Sequence, residues 1–512
     1  MRPTRLTVLC VFSSVLLFAQ GARTAPASRG LPLILFNNDS DDLKWAAYGH
    51  ELLWSPTGEK IPIKPIRSLE EYLGYRIGPL ADTAAKGLAY CGNFGLPVWE
   101  LKRDRISALG EDPLLPILQY WKRDGRAFYF SMRMNDIHHE TFNWPHLWGN
   151  FQRENRGLFL KPPSDEQWKT QFLPWLDGNG KKPTIAPASL AYDYSRADVR
   201  KQFLSTLREA SRRYNLDGVE LDWLRYPKFF RDSEVNAETI TAFVGEVHAI
   251  LAETARSRGH AVRLISRLPD SPAKALAIGL DVETWLKNGW LDAVIGGHGG
   301  IFSASELEQW VELGHRFRVP VYGALERHHF GVRGFAGTAS AENLRAAVAT
   351  LWHKGADGLY LFNYYTRSEY PLLDEFADPS RLVRAPKQYF LEGNLDVSAS
   401  GSNGTRSVGP LPVDLKAGEK AQVSLIVVDD AAAAKDVQLE IVWKSAAGFA
   451  PPTVRVNGQE MTGMKISAGK SSITSSISSA SLKKALIRGK NQFAFEASQP
   501  ALLTALSVRI IP

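Results

Sequence analysis

Eight short β-rich runs alternate with helical stretches from residue 31 onward, and beyond Tyr389 the pattern turns to period-two alternation broken by polar turns. Together these predict an α/β protein: a (β/α)8 TIM barrel followed by a C-terminal all-β sandwich. A doubly wound open sheet is the rival, and it wants a glycine-rich turn after its first strand. The chain offers acids and amides there instead, in the run "LPLILFNNDSDD".

The strand candidates are Leu31–Phe36, Gly87–Cys91, Ala127–Met132, Gly218–Asp222, Val262–Arg267, Ala293–Gly296, Val319–Ala324 and Gly358–Asn363. Helical candidates lie between them at about 68–86, 112–124, 196–214, 236–258, 281–288, 304–316 and 340–354. The last begins at Ser340, a good N-cap, and carries an apolar stripe at Leu344, Val348 and Leu351. The longest insertion, about 136–190, follows the third strand, and so lies over the C-terminal face where barrel active sites are built. It holds Trp144, Trp148, Trp168 and Trp175, which either line that face or pack on one another. Residues 396–412 are rich in Gly, Ser and Pro and read as a linker. Five alternating runs follow it: "AQVSLIVVDD", "VQLEIVWKSA", "TVRVNGQEM", "NQFAFEAS" and "ALLTALSVRII". The division is thus a barrel over 31–385 and a sandwich over 396–512.

Composition narrows the function. A 512-residue chain that is 44% hydrophobic is neither disordered nor fibrous. The formal charge of +7 is too small over this length for a nucleic-acid footprint. Arg2 and Arg5 precede an apolar run from Leu6 to Ala19, with small residues at Ala19, Gly21 and Ala22. This predicts a signal peptide over 1–21 and a secreted protein, periplasmic or extracellular. The run is too short to span a bilayer, so no membrane span is expected. Removing Arg2 and Arg5 lowers the charge to +5 and leaves Cys91 as the one remaining cysteine, so no internal disulfide forms. Fourteen Trp suit a protein that stacks on sugars.

The strongest motif is "YNLDGVELDWLRYP", residues 214–227. Glu220 and Asp222 stand two apart on one strand and therefore share a face. With Val219 and Leu221 turned to the outer helices, that face is the barrel interior, with Asp222 at the mouth and Glu220 one layer deeper. Buried acids require cations; Arg225 and Arg267 are candidates. Trp223 and Tyr226 adjoin them. On the third strand Tyr129, Ser131, Arg133 and Asn135 alternate with apolar residues, and Asp136 and His138 follow. Glu326 lies just past the seventh strand, with His328 and His329 after it. His298 among glycines ends the sixth strand; Asn363 and Tyr364 end the eighth; Asn37 and Asp39 end the first. Cleaving a glycosidic bond takes two carboxyl groups. Strand ends four and seven supply Asp222 and Glu326, with Glu220 as a third candidate. Which acid is nucleophile and which donates the proton stays open. The acids at 37–42 lack a twelve-residue calcium loop, and the histidines lack zinc-binding spacing, so no metal or cofactor is expected.

The run "DGVELDWLRYP" is similar to the "DG-hydrophobic-x-hydrophobic-D-x-x-R-Y-P" signature of the glycosyl-hydrolase-like family 10 proteins, secreted (β/α)8 barrels. The resemblance covers about residues 31–380. It implies that Asp222 closes the fourth strand and that Arg225, Tyr226 and Pro227 belong to the site. Members commonly carry His where Glu220 stands, a departure that leaves the role of Glu220 open. The turns "VRVNGQEM" and "LIRGKNQFAFEA" resemble galactose-binding-like jelly rolls appended to many glycosidases. The resemblance implies a secreted glycoside hydrolase acting on a polysaccharide or oligosaccharide. A non-catalytic carbohydrate-binding barrel and a polysaccharide lyase acting on an acidic glycan are the alternatives.

Overall fold

In the computed structural model, eight parallel strands close into a barrel. The structure describes residues 30–49, 51–52, 61–62, 64–93, 95–138, 143–185, 189–299, 306–327, 340–393, 405, 407–444, 450–469 and 472–512. The barrel strands are β1 (Ile34–Asn38), β2 (Gly87–Cys91), β3 (Ala127–Arg133), β4 (Gly218–Asp222), β5 (Arg263–Leu268), β6 (Ala293–Gly296), β7 (Val321–Glu326) and β8 (Gly358–Phe362). Each pairs with its neighbours in sequence, and β1 closes the ring against β8. Because strand side chains alternate faces, one strand set builds two cores. Leu35, Ala89, Tyr129, Ile265, Ile295, Tyr322 and Tyr360 fill the barrel's interior. Phe36, Leu88, Phe128, Val219, Leu264 and Leu359 face outward and join the helices in a second cluster.

The helices close to the expected positions include Leu114–Lys122, Ala197–Arg213, Ala237–Arg258, Val282–Lys287, Leu307–Arg316 and Ala341–His353. The expected helix at 68–86 is two shorter ones, Leu69–Tyr75 and Ile77–Ala81, broken at Arg76. Pro79 explains the break: it fits a helix's first turn but would clash with the carbonyl one turn back in a continuous helix. Strand β1 is displaced from the expected Leu31–Phe36, because Asn37 and Asn38 continue the ladder opposite Ala89 and Tyr90. A helix, Asp41–Tyr48, starts almost at once. No helix among the described residues is long and apolar enough to cross a membrane.

In the insertion, Trp148, Trp168 and Trp175 pack with Phe159, Phe172, Leu176 and Leu190 into a small separate core. Of its four tryptophans only Trp144 turns toward the barrel, meeting Trp45 with ring centres 4.6 Å apart.

The C-terminal region forms two antiparallel sheets. One holds β9 (Lys387–Phe390), β10 (Val413–Leu415), β12 (Asp436–Lys444), β15 (Lys465–Ala468), β16 (Ile473–Ile477) and β18 (Ala501–Ile511). The other holds β11 (Lys420–Val427), β13 (Thr453–Val456), β14 (Gln459–Glu460) and β17 (Gly489–Glu496). Arg509 on β18 donates two hydrogen bonds of 2.7 Å to Glu342 at the start of helix Ala341–His353, tying this region to the barrel.

Candidate active site

The interior face of β4 carries both of its acids into the barrel. Glu220 is opposite Ser131 on β3 and Ile265 on β5; Asp222 is opposite Arg133 and Arg267. The deeper acid is fully buried and accepts a 3.2 Å hydrogen bond from Asn37 Nδ2. Burial, and then the neighbouring Asp222 charge, push its carboxyl up to about 7, with Ser131, Tyr360 and Arg267 nearby opposing the rise. Asp222 accepts from Arg267 Nη1 at 3.3 Å and from the Leu224 amide at 2.9 Å. Those are partners suited to a carboxylate anion. The Arg267 guanidinium sits 3.7 Å from the Phe362 ring centre and is acted on by Asp222, Glu326 and Glu220 alike. Three carboxyls therefore surround one cation.

Glu326 ends β7, buried, and accepts from Asn363 Nδ2 at 2.7 Å. Its own amide donates to the Gly299 carbonyl at 2.7 Å. This explains the glycines beside His298. Gly299 has φ +76, and a Cβ there would come within 2.6 Å of the Glu326 nitrogen. The glycine lets the chain after β6 approach β7 rather than a ligand.

On the opposite side of the mouth, Arg133 pairs with Asp39 at 2.5 Å and Asp136 at 2.6 Å. Asp136 Oδ1 accepts from the Nδ1 of His138 at 2.7 Å, and His138 Nε2 lies 2.9 Å from Arg225 Nη2. Burial works against the Asp136 charge, but His138 and Arg133 outweigh it and hold the carboxyl well below the usual range. Burial pulls His138 down to about 4, with Asp136 opposing and Arg225 and Arg133 adding to the fall. The ring is thus neutral, with Nδ1 as donor and Nε2 as acceptor. A cavity of about 440 Å³ opens beside Arg133 and Asp136, with Gln152, Tyr192 and Phe203 among its walls.

Eleven of the expected residues thus converge: Asn37, Asp39, Arg133, Asp136, His138, Glu220, Asp222, Arg225, Arg267, Glu326 and Asn363. Others are placed elsewhere. Asn135 lies past the end of β3, where alternation stops; its amide bonds Lys228 O at 2.7 Å and accepts from Tyr192 N at 2.8 Å, bracing the loop. Trp223 follows Asp222 by one residue and so faces outward, donating to Ser266 Oγ and packing on Phe229 and Trp285. Tyr226 stands edge-on to His138, 5.5 Å between ring centres. His298 meets Asp270 at 3.0 Å and Thr405 Oγ1 at 3.5 Å. His328 lies outside the described residues.

Tyr364 turns into the outer core. Asn363, with φ 51, breaks the alternation; Tyr365 joins the same outer cluster, but its hydroxyl donates to Asn363 Oδ1 at 3.2 Å and accepts from the Asp39 amide at 3.4 Å. Sequence reasoning missed Tyr360 and Lys44. Two-residue alternation on β8, which sends Tyr360 and Phe362 to the barrel interior, was the signal for Tyr360. Lys44 sits on the helix that opens directly behind β1, fully buried. Burial brings its ammonium down to about 7. Among the described residues no three His, Cys, Asp or Glu side chains converge as metal ligands.

No family model matches the chain, and no curated protein is similar to it. Solved structures to which the chain is similar include a family 36 α-galactosidase of Geobacillus stearothermophilus, at 12% identity and TM-score 0.37, covering 93% of this chain and 57% of that one. An α-amylase of Geobacillus thermoleovorans has 10% identity and TM-score 0.39, covering 91% and 99%. The glycoside hydrolase domain of PgaB from Bordetella bronchiseptica has 12% identity and TM-score 0.39, covering 60% and 92%. This chain thus spans little more than half of the α-galactosidase. The barrel itself rests on the strand order and register described above.

Proposed function

We propose that the protein is a glycoside hydrolase that cleaves O-glycosidic bonds of a polysaccharide or oligosaccharide at the C-terminal face of the barrel. The observation that carries this reading is the set of three carboxyls around Arg267, each in a different environment. Environments that separate the protonation of neighbouring acids suit acid and base roles. Asp222, paired with Arg267 and an amide, is the anion that attacks or stabilises the sugar's anomeric carbon. Glu326, held by the neutral Asn363 amide, gives its proton to the leaving oxygen. Glu220, beneath them, keeps its proton near neutral pH. The motif of residues 214–227 supports a relation to the glycosyl-hydrolase-like family 10 barrels, and Leu6–Ala19 supports export with residues 1–21 removed.

Asp222→Asn and Glu326→Gln are each expected to lower glycan turnover roughly a hundred- to ten-thousandfold while the fold is kept. On aryl glycosides with good leaving groups, Glu326→Gln retains more of its first-step rate than Asp222→Asn. Reducing-end release from a polysaccharide panel measures the first, and burst kinetics the second. Full activity in both variants overturns the assignment. A glycan-binding barrel without turnover is favoured by the closed Asp39–Arg133–Asp136–His138 network, and glycan binding with no released sugar would select it.

A further inference from the structure

Arg225 is the cation at the mouth that the described residues leave unneutralised. Arg133 has Asp39 and Asp136, Arg267 has Asp222, and Arg76 has Asp41, whose Oδ2 lies 3.2 Å from its Nη2. Arg225 has no carboxylate within ion-pair distance among the described residues, and its Nε is buried without a hydrogen-bond partner. Its guanidinium meets the His138 ring nitrogen at 2.9 Å and the Phe362 ring at 5.2 Å from the ring centre. Asp39 feels its charge but forms its ion pair with Arg133. A neutral imidazole and an aromatic face orient a guanidinium without cancelling its charge.

The arrangement is built rather than accidental. Asp136 fixes the His138 tautomer, and that ring in turn presents an acceptor to Arg225. The guanidinium of Arg225 also approaches the same Phe362 ring that carries Arg267, the partner of Asp222. It therefore shares an aromatic neighbour with the cation that pairs with Asp222. A half-buried guanidinium with free N–H groups fits a planar carboxylate in a two-pronged pair.

We propose that Arg225 is the subsite cation for a carboxylate on the substrate, so that the glycan bound at this mouth is built on hexuronic acid units. This rests on the glycoside hydrolase reading above and names its substrate class. Recognition has a negative side as well. A neutral sugar leaves the guanidinium unpaired on losing its water, which penalises the wrong substrate.

The test titrates wild type, Arg225→Gln and Arg225→Lys with oligouronides, and with the same oligomers after carboxyl reduction to neutral sugars. Wild type is expected to bind at least one oligouronide about tenfold or more tightly than its reduced form. That ratio collapses toward one in Arg225→Gln, and falls in Arg225→Lys, which keeps the charge and loses the fork. Unchanged melting of Arg225→Lys guards against misfolding as the cause. Equal affinity of wild type for acid and reduced forms, no uronide binding, or a ratio unaltered in both variants overturns the inference. Turnover of a neutral glycan with no uronide binding sinks this inference and leaves the hydrolase reading standing. Uronide binding that depends on Arg225 with no product released does the reverse.

Discussion

Glu220 is the residue whose environment most directly shapes behaviour in solution. Its carboxyl titrates near 7 in the folded protein, against about 4.3 in an unfolded chain. Below the lower value both states hold the proton and folding is unpenalised. As pH rises toward 7 the unfolded chain releases its proton first, so stability falls, and above 7 the loss is constant. The shift corresponds to about 4 kcal/mol. Glu220→Gln carries no such titration. Its stability advantage over wild type, measured by urea unfolding, is expected to grow between about pH 4 and about pH 7 and to level off above that. A difference that stays constant with pH would contradict the burial of an ionisable acid at this layer. The residue also shows what alternation could reveal: two-residue spacing placed Glu220 and Asp222 on one face, whereas Trp223, expected in the site, is one residue out of phase and turns away from it. Asn135 and Tyr364 were harder to read, because the strands end before them and alternation no longer predicts direction.

At the level of elements, strands buried on both faces were legible from short apolar runs, since every barrel strand joins one of two cores. Edge strands were not. Lys465–Ala468 is exposed at all four positions and Ile473–Ile477 is Ser- and Thr-rich, so neither carries the apolar alternation that announces a strand. Aromatic-rich insertions offer another lesson. The sequence showed a tryptophan cluster without saying whether it faced ligand or itself, and Trp148, Trp168 and Trp175 close on one another. Trp148 packs on Phe159, Trp168, Phe172 and Trp175. Truncating it to Ala is expected to cost about 3–5 kcal/mol in that small core. The loss should appear as protease sensitivity within residues 143–190 while barrel strands stay protected from hydrogen exchange. Equal proteolysis of wild type and variant would argue against a separate core.

For the whole molecule, the barrel and the sandwich are joined by more than a tether. Arg509 grips Glu342, and Tyr389 and Phe390 line a shared cavity of about 260 Å³ with Ala346 and Thr350 of the barrel's last long helix. Deleting residues after 386 strips that helix of its cover. The truncated barrel is expected to melt well below the full chain, and the full chain to give one calorimetric transition. Two resolved transitions, the first matching the truncated barrel, would mean that the units fold independently.

Asp270, just beyond β5, sets the path between them. Its amide donates to the Thr405 carbonyl at 3.1 Å, and its carboxylate accepts from the Ser407 amide and from His298. The backbone entering the second unit is therefore stitched to the barrel's rim before it reaches its own first long strand. Such a chain cannot be treated as two exchangeable cassettes. Grafting this sandwich onto another barrel would break a seam that also sets the neighbouring wall of the barrel's rim, so swaps that succeed must carry Asp270 and His298 along with the linker.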